Sequence, residues 1–199
     1  MSMQGAIARG LLAARNRLES TLRTAAARSS AQLGVGSRIL ESGNLYNIRK
    51  VRSAVRVGQH SLIAGDLLTF AHGGEISIGE WCYVGAGSRI WSAASIQIGN
   101  RVLISHGVNV HDCDSHSKDP HQRHRQFVKI ATIGHPIDVD SVESSPIYIE
   151  DDVWIGFNAT IMKGVRIGAR SIVAAGTLIT KSIQPDTIAI GSVVRQVEP

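Results

Sequence analysis

Cut every six positions, residues 149–184 read IEDDVW IGFNAT IMKGVR IGARSI VAAGTL ITKSIQ, and each block opens on Ile or Val: Ile149, Ile155, Ile161, Ile167, Val173 and Ile179. Ile and Val together are about a fifth of the chain. Such a run would arise by chance with a probability on the order of 10⁻⁴. Four positions after each leader stands Val153, Ala159, Val165, Ser171, Thr177 or Ile183, mostly small or β-branched, and Gly156, Gly168 and Ala174 directly follow three of the leaders. Neither the helical period of 3.6 nor the strand period of 2.0 produces a six. A short strand with a tight turn does. Three such edges close a triangular coil that advances about 4.8 Å per turn, so each leading aliphatic points inward and stacks on its equivalent three hexads later. A small neighbour turns the corner at low steric cost. A narrow interior also suits Ile and Val better than rings, in keeping with only three each of Trp, Tyr and Phe. A β-sandwich would instead need strands spaced by about 8–12 residues.

Outward from that stretch the period returns at Ile78, Val84 and Ile90, then, shifted in phase, at Ile98, Ile104 and Val110, with a weaker set at Val51, Val57 and Ile63. The expected fold is mainly β, a parallel β-helix of about five coils over residues 34–199. Cys82, four after Ile78, falls in the inward small slot and reads as core. Three stretches leave the hexads. Residues 1–33 read as an amphipathic helix with Ile7, Leu11, Ala14, Leu18, Leu22 and Ala25 in one stripe. Such a helix would pack on the first coil or a neighbouring subunit, or rest on anionic lipid as a peripheral membrane contact. Residues 66–76 hold a smaller interruption, and residues 111–146 form a loop insertion. An insertion of that length in a compact domain points to function.

The chain has 199 residues and a net charge of +5. Arg9, Arg15, Arg17, Arg23 and Arg28 against Glu19 place +4 of that charge in residues 1–33, so the remainder carries about +1. That leaves no basic stripe for tracking phosphates, and nucleic acid is not an expected partner. Two cysteines fit a reducing compartment and no disulfide scaffold. The apolar run Leu11-Leu12-Ala13-Ala14 is closed by Arg9 and Arg15, too short for a membrane span or a secretory signal. The expected location is the cytoplasm, with attachment at the inner membrane face as an option.

The hexads resemble those of the hexapeptide-repeat acyltransferases, whose fold is the left-handed parallel β-helix. The resemblance covers about residues 35–195 and implies a homotrimer with active sites between neighbouring prisms. Handedness comes from the family, because left-handed crossovers depart from the usual rule for parallel strands. The run from Val102 to Ser117, with Asp112-Cys113-Asp114-Ser115-His116 near its end, is similar to the O-acetyltransferase branch, where an Asp-x-Asp-x-His histidine is the base. That implies His116 as general base, a task that suits an imidazole titrating near neutrality, with Asp112 or Asp114 fixing its tautomer. Cys113 lies inside the motif, but nothing else in the pattern calls for a thiol nucleophile.

The same resemblance implies acetyl-CoA as donor and a sugar or polysaccharide-precursor hydroxyl as acceptor, with no metal. Trp154-Ile155-Gly156 matches a segment that borders the donor tunnel, which marks Trp154 and Gly156. Ala175 would offer backbone hydrogen bonds to the pantetheine arm. Thr180 and Lys181, in a stretch resembling Ala-Gly-Ser-x-Val-Thr-Lys, would lie near the adenosine and its phosphates, and Arg195 would also meet a phosphate. Phe157 departs from the usual small residue, and Ser192-Val193 from the usual Val-Pro. Three alternatives stay open. One is N-acetylation of an amino sugar. Another is a gamma-carbonic-anhydrase-like hydratase holding a metal through His106, His111 or His116. The third is a catalytically silent scaffold.

Overall fold

The computed structural model describes residues 3–134, 142–191 and 193–196, with side chains over 10–134 and 142–191. Three sheets form the sides of a triangular prism. The first face stacks six strands: Gln32–Leu33, Val55–Val57, Ile76–Ile78, Ile96–Ile98, Ile147–Ile149 and Arg166–Ile167. The second stacks Arg38–Ile39, Leu62–Ile63, Tyr83–Val84, Leu103–Ile104, Trp154–Ile155, Ile172–Val173 and Thr187–Ile190, then adds Val193–Gln196. The third stacks Asn44–Asn47, Asp66–Thr69, Arg89–Ser92, Asn109–His111, Thr160–Met162 and Leu178–Ile179. All pairings are parallel except the last on the second face, Thr187–Ile190 with Val193–Gln196.

The register stacks the hexad leaders as expected: Ile149 pairs with Ile167, Ile155 with Val173 and Ile161 with Ile179, and all six are buried. The columns continue downward, through Ile98 and Ile78 on the first face and through Ile104 and Val84 on the second. The corner slots Val153, Ala159, Val165, Ser171, Thr177 and Ile183 are buried too. Where the slot is serine, its hydroxyl ties one coil to the next: Ser61 Oγ donates to Gly79 O (2.8 Å) and accepts from Cys82 N (2.9 Å). Cys82 is core, as expected.

The described residues form six complete coils, one more than the strict period suggests. Extra residues at the corners, such as 48–54 and 70–75, stretch the early coils and hide the six. Val51 accordingly points to solvent, and the inward positions of that coil are Val55 and Val57. The glycine beside a leader also serves a purpose other than an unusual turn. A Cβ on Gly156 would stand 2.6 Å from Ala175 N, so the residue is needed for close approach of successive coils.

Helix α1 (Met3–Ala27) caps the first coil. It docks through Ser20, Thr24 and Ala27, and its leucines are not in the contact. Ser20 Oγ donates to Ile39 O (2.9 Å) and Thr24 Oγ1 accepts from Ile39 N (3.0 Å). These hydroxyls satisfy the outward backbone groups of an edge strand, which carbon side chains could not do. The insertion is not all loop. It contains helix α2 (Pro120–Ile133), and its base is closed by a bridge between Cys113 and Ser144.

Candidate active site

The chain leaves the third face at His111 and makes a tight turn. Ser115 takes a left-handed φ of 63°, and His116 N donates to Asp114 O at 2.7 Å. This turn throws the His116 side chain out to solvent. Helix α2 then returns a residue to it. Gln126 Oε1 lies 3.0 Å from His116 Nδ1, while Gln126 Nε2 donates to Ser115 O at 3.3 Å. Because the amide nitrogen is spent on a carbonyl, the amide oxygen must face the ring. Nδ1 therefore carries the hydrogen, and Nε2 is the basic nitrogen. Nε2 has no hydrogen-bond partner among the described residues.

Gln126 is absent from the sequence reading, although a clue stands nearby. Asp119-Pro120 is a helix start, and in the structure Asp119 caps α2 by accepting from Gln122 N at 2.8 Å. A second anchor ties the turn to the helix, as Arg123 Nη1 donates to Ser117 O (3.0 Å) and Lys118 O (3.2 Å).

Neither aspartate carboxylate of the motif bonds to the His116 ring. Asp112 is fully buried and accepts from Ser92 Oγ (2.6 Å), Ala93 N (2.6 Å) and Ala94 N (3.0 Å), which fixes the corner of the coil below. Burial pushes its carboxyl pKa up, against the pull of those three donors. Asp114 instead meets Lys163 Nζ at 2.6 Å, and Lys163 also holds Glu143 Oε2 at 2.8 Å. Lys118 adds a contact to Glu143 at 2.9 Å. Hydrogen bonds from Lys163 and Lys118 lower the Glu143 pKa to about 2. Lys163 lies 49 residues from Asp114 along the chain, so no local pattern announces it. Together these ions clamp both ends of the insertion to the coil above.

His106, His111 and His116, five residues apart, do not gather into a cluster, because His106 sits at a corner after the second face, His111 ends a strand of the third face and His116 lies in the insertion. The His106 ring stacks on Phe157 (centroids 5.2 Å, 1° apart), and that of His111 on Trp91 (5.0 Å, 27°). Burial, then the charge of Arg89, lowers the His111 pKa. Among the described residues no three His, Cys, Asp or Glu side chains are placed to hold one metal ion. His135 lies outside the described residues. Burial raises the Cys113 thiol pKa, which keeps it in the protonated, weakly nucleophilic form.

Five of the six donor-side residues fall into two groups, and Arg195 stands apart. Trp154, Gly156 and Ala175 sit on the second face and the corner that follows it. The Trp154 ring is half-exposed, with Nε1 3.4 Å from Ser105 Oγ. Thr180 and Lys181 sit at the corner after the third face. That is the same corner, two coils on, from which the His116 insertion springs, with Lys163 on the coil between. Thr180 and Lys181 line a cavity of about 470 Å³ with Gly176, Leu178, Ile183 and Gly191. Arg195 lies on the reversed terminal strand opposite Ile188, and its side chain is outside the described residues. A larger cavity of about 710 Å³ lies away from His116, between α1 and the second face.

Residues 146–181 match the bacterial transferase hexapeptide (six repeats), and residues 75–111 the hexapeptide repeat of succinyl-transferase. Galactoside O-acetyltransferase of Escherichia coli is 30% identical over 127 residues, which are 61% of this chain and 53% of that protein. The chain thus spans about half the length of the curated relatives it matches. Among solved structures, the hexapeptide-repeat containing acetyltransferase of Vibrio cholerae aligns at 27% identity with a TM-score of 0.57, covering 91% of this chain and 81% of its own. AntD, an N-acyltransferase from Bacillus cereus solved with dTDP-4-amino-4,6-dideoxyglucose and Coenzyme A, is a likeness of fold. It has a TM-score of 0.67 at 16% identity, covering 90% of this chain and 88% of that one. The chain carries the hexapeptide repeats of these transferase models and folds as the left-handed β-helix of acetyltransferases, and it is similar to the galactoside O-acetyltransferases.

Proposed function

We propose that the protein transfers an acetyl group from acetyl-CoA to a hydroxyl of a sugar or cell-surface polysaccharide precursor, with His116 as general base. The observation that carries this reading is the His116–Gln126 contact, which presents an exposed imidazole with its basic Nε2 toward solvent. Nε2 accepts the hydroxyl proton as the acceptor oxygen bonds to the thioester carbon, then returns that proton to the departing sulfur as the C–S bond breaks. No covalent acyl-enzyme is required, in keeping with a protonated and buried Cys113.

On the donor side, the Lys181 ammonium suits the CoA phosphates, and exposed Leu178 beside it and Trp154 on its own corner offer apolar surface to the rest of the molecule. The separation of Trp154 and Lys181 onto different corners supports a homotrimer, in which a cleft takes one corner from each of two neighbouring prisms.

Thioester cleavage with a panel of hydroxy and amino sugars, comparing wild type with His116→Ala, tests the reading. The variant is expected to lose about 10²–10⁴-fold in kcat, with new ester, not amide, in the product. An undiminished rate in His116→Ala removes it as base, and amide product reassigns the acceptor to an amino sugar.

A further inference from the structure

Helix α1 leaves its most hydrophobic side uncovered. Leu11, Leu18 and Leu22 are 60–68% exposed, and Leu12 beside them is 50% exposed. At about 100° per residue, Leu11, Leu18 and Leu22 lie within a narrow arc roughly half a turn from Ser20, Thr24 and Ala27. The two hydroxyl bonds to Ile39 lock that polar side onto the first coil, so the leucines cannot roll inward to find cover. A lone exposed leucine needs no explanation, but a fixed row on one helix side does.

The charge around the row says what covers it. Exposed Arg15 lies directly beside the row, and exposed Arg17 lies about a quarter-turn from it on the other side. Arg15 makes only loose contacts to Glu19 and Glu41, each at 3.6 Å, and Glu19 is the single acidic residue of the helix. A second copy of α1 laid on this side would bring arginines against arginines. An anionic lipid surface meets both features, as leucines enter the acyl boundary and guanidinium groups reach the headgroup phosphates. Among the described residues no helix is long and apolar enough to cross a membrane, which leaves the surface as the place of contact.

We infer that α1 docks the protein, by Leu11, Leu18 and Leu22 with their flanking arginines, onto membranes rich in anionic phospholipid. The inference stands on the helix alone and is independent of the chemistry at His116.

Co-sedimentation of the full chain with vesicles tests it. The wild type is expected to bind phosphatidylcholine vesicles containing phosphatidylglycerol, to ignore phosphatidylcholine alone, and to release as salt rises. The double variant Leu18→Glu, Leu22→Glu is expected to bind at least tenfold more weakly, with the melting temperature, solution mass and turnover of a soluble acceptor all unchanged. Equal binding by variant and wild type overturns the inference, as does failure of the wild type to bind the anionic vesicles. A change in solution mass on substitution overturns it in favour of a second copy.

Discussion

His116 Nδ1 lies 3.0 Å from Gln126 Oε1, and the same amide holds the Ser115 carbonyl, so one side chain fixes both the tautomer of the imidazole and the turn that exposes it. A neutral amide thereby occupies the place that the motif suggested for an aspartate. Gln126→Leu is expected to lower kcat about tenfold with little change in melting temperature. Gln126→Glu keeps an acceptor for Nδ1 and adds a charge that stabilises the imidazolium. It should move the acid limb of the pH–rate profile to higher pH. A profile unmoved by either substitution would leave Gln126 without a positioning role.

The Lys163 clamp gives a pH signature. Hydrogen bonds from Lys163 and Lys118 depress the Glu143 pKa from its usual 4.5 to about 2. A depressed carboxyl stabilises the fold above its unfolded pKa and loses that contribution as pH falls through the folded one. The contribution of Glu143 to anchoring the insertion is therefore fully present above about pH 4.5 and lost toward pH 2. Exchange protection at residues 143–145, taken relative to the unfolded chain at each pH, is expected to fall across that window in the wild type. In Lys163→Met it should already be low at neutral pH. Protection that is flat in pH and identical in the two proteins would show that the ions do not hold the segment.

Asp112 has a structural task. Its carboxylate meets three donors in a site closed to water, so Asp112→Ala leaves those donors without partners. The expected cost is about 2–4 kcal/mol in urea unfolding. Asp112→Asn, which keeps an accepting oxygen, should recover part of it. Unchanged stability with an altered pH–rate profile would return Asp112 to the role of orienting His116.

Two glycines near the expected donor path should fail for different reasons. Gly156→Ala puts a Cβ 2.6 Å from Ala175 N and must separate two coils, an expected loss of about 1–3 kcal/mol. At Gly176 a Cβ meets nothing within 4 Å, but the φ of 68° penalises any L side chain. Gly176→Ala is expected to cost about 1 kcal/mol, and Gly176→Asn, which tolerates that conformation, less. Equal stabilities for Gly156→Ala and the wild type would show that the coils can yield.

The architecture was legible because the period is simple. One inward aliphatic per edge sufficed to assign the faces, the inward set and the stacking of Ile149 on Ile167. Legibility fell where residues are added at corners, so a coil was missed in the less regular N-terminal half. In the site, Asp112, Asp114 and His116 were marked by their resemblance to an O-acetyltransferase motif, but the motif could not distribute their bonds. Asp112 turned to backbone amides of the coil below and Asp114 to a lysine of the coil above, because both neighbours arrive by stacking.

From the chain of letters alone came the prism and its buried columns, since each depends on residues close in sequence and on a repeat that local sterics enforce. Only the tertiary structure decided that Gln126 orients the imidazole, that Lys163 clamps the insertion and that the leucines of α1 face away from the protein. Those outcomes rest on which polar groups meet across coils. A helix turns its hydroxyls inward, against its own hydrophobic stripe, when the surface it caps is a row of unpaired backbone amides and carbonyls.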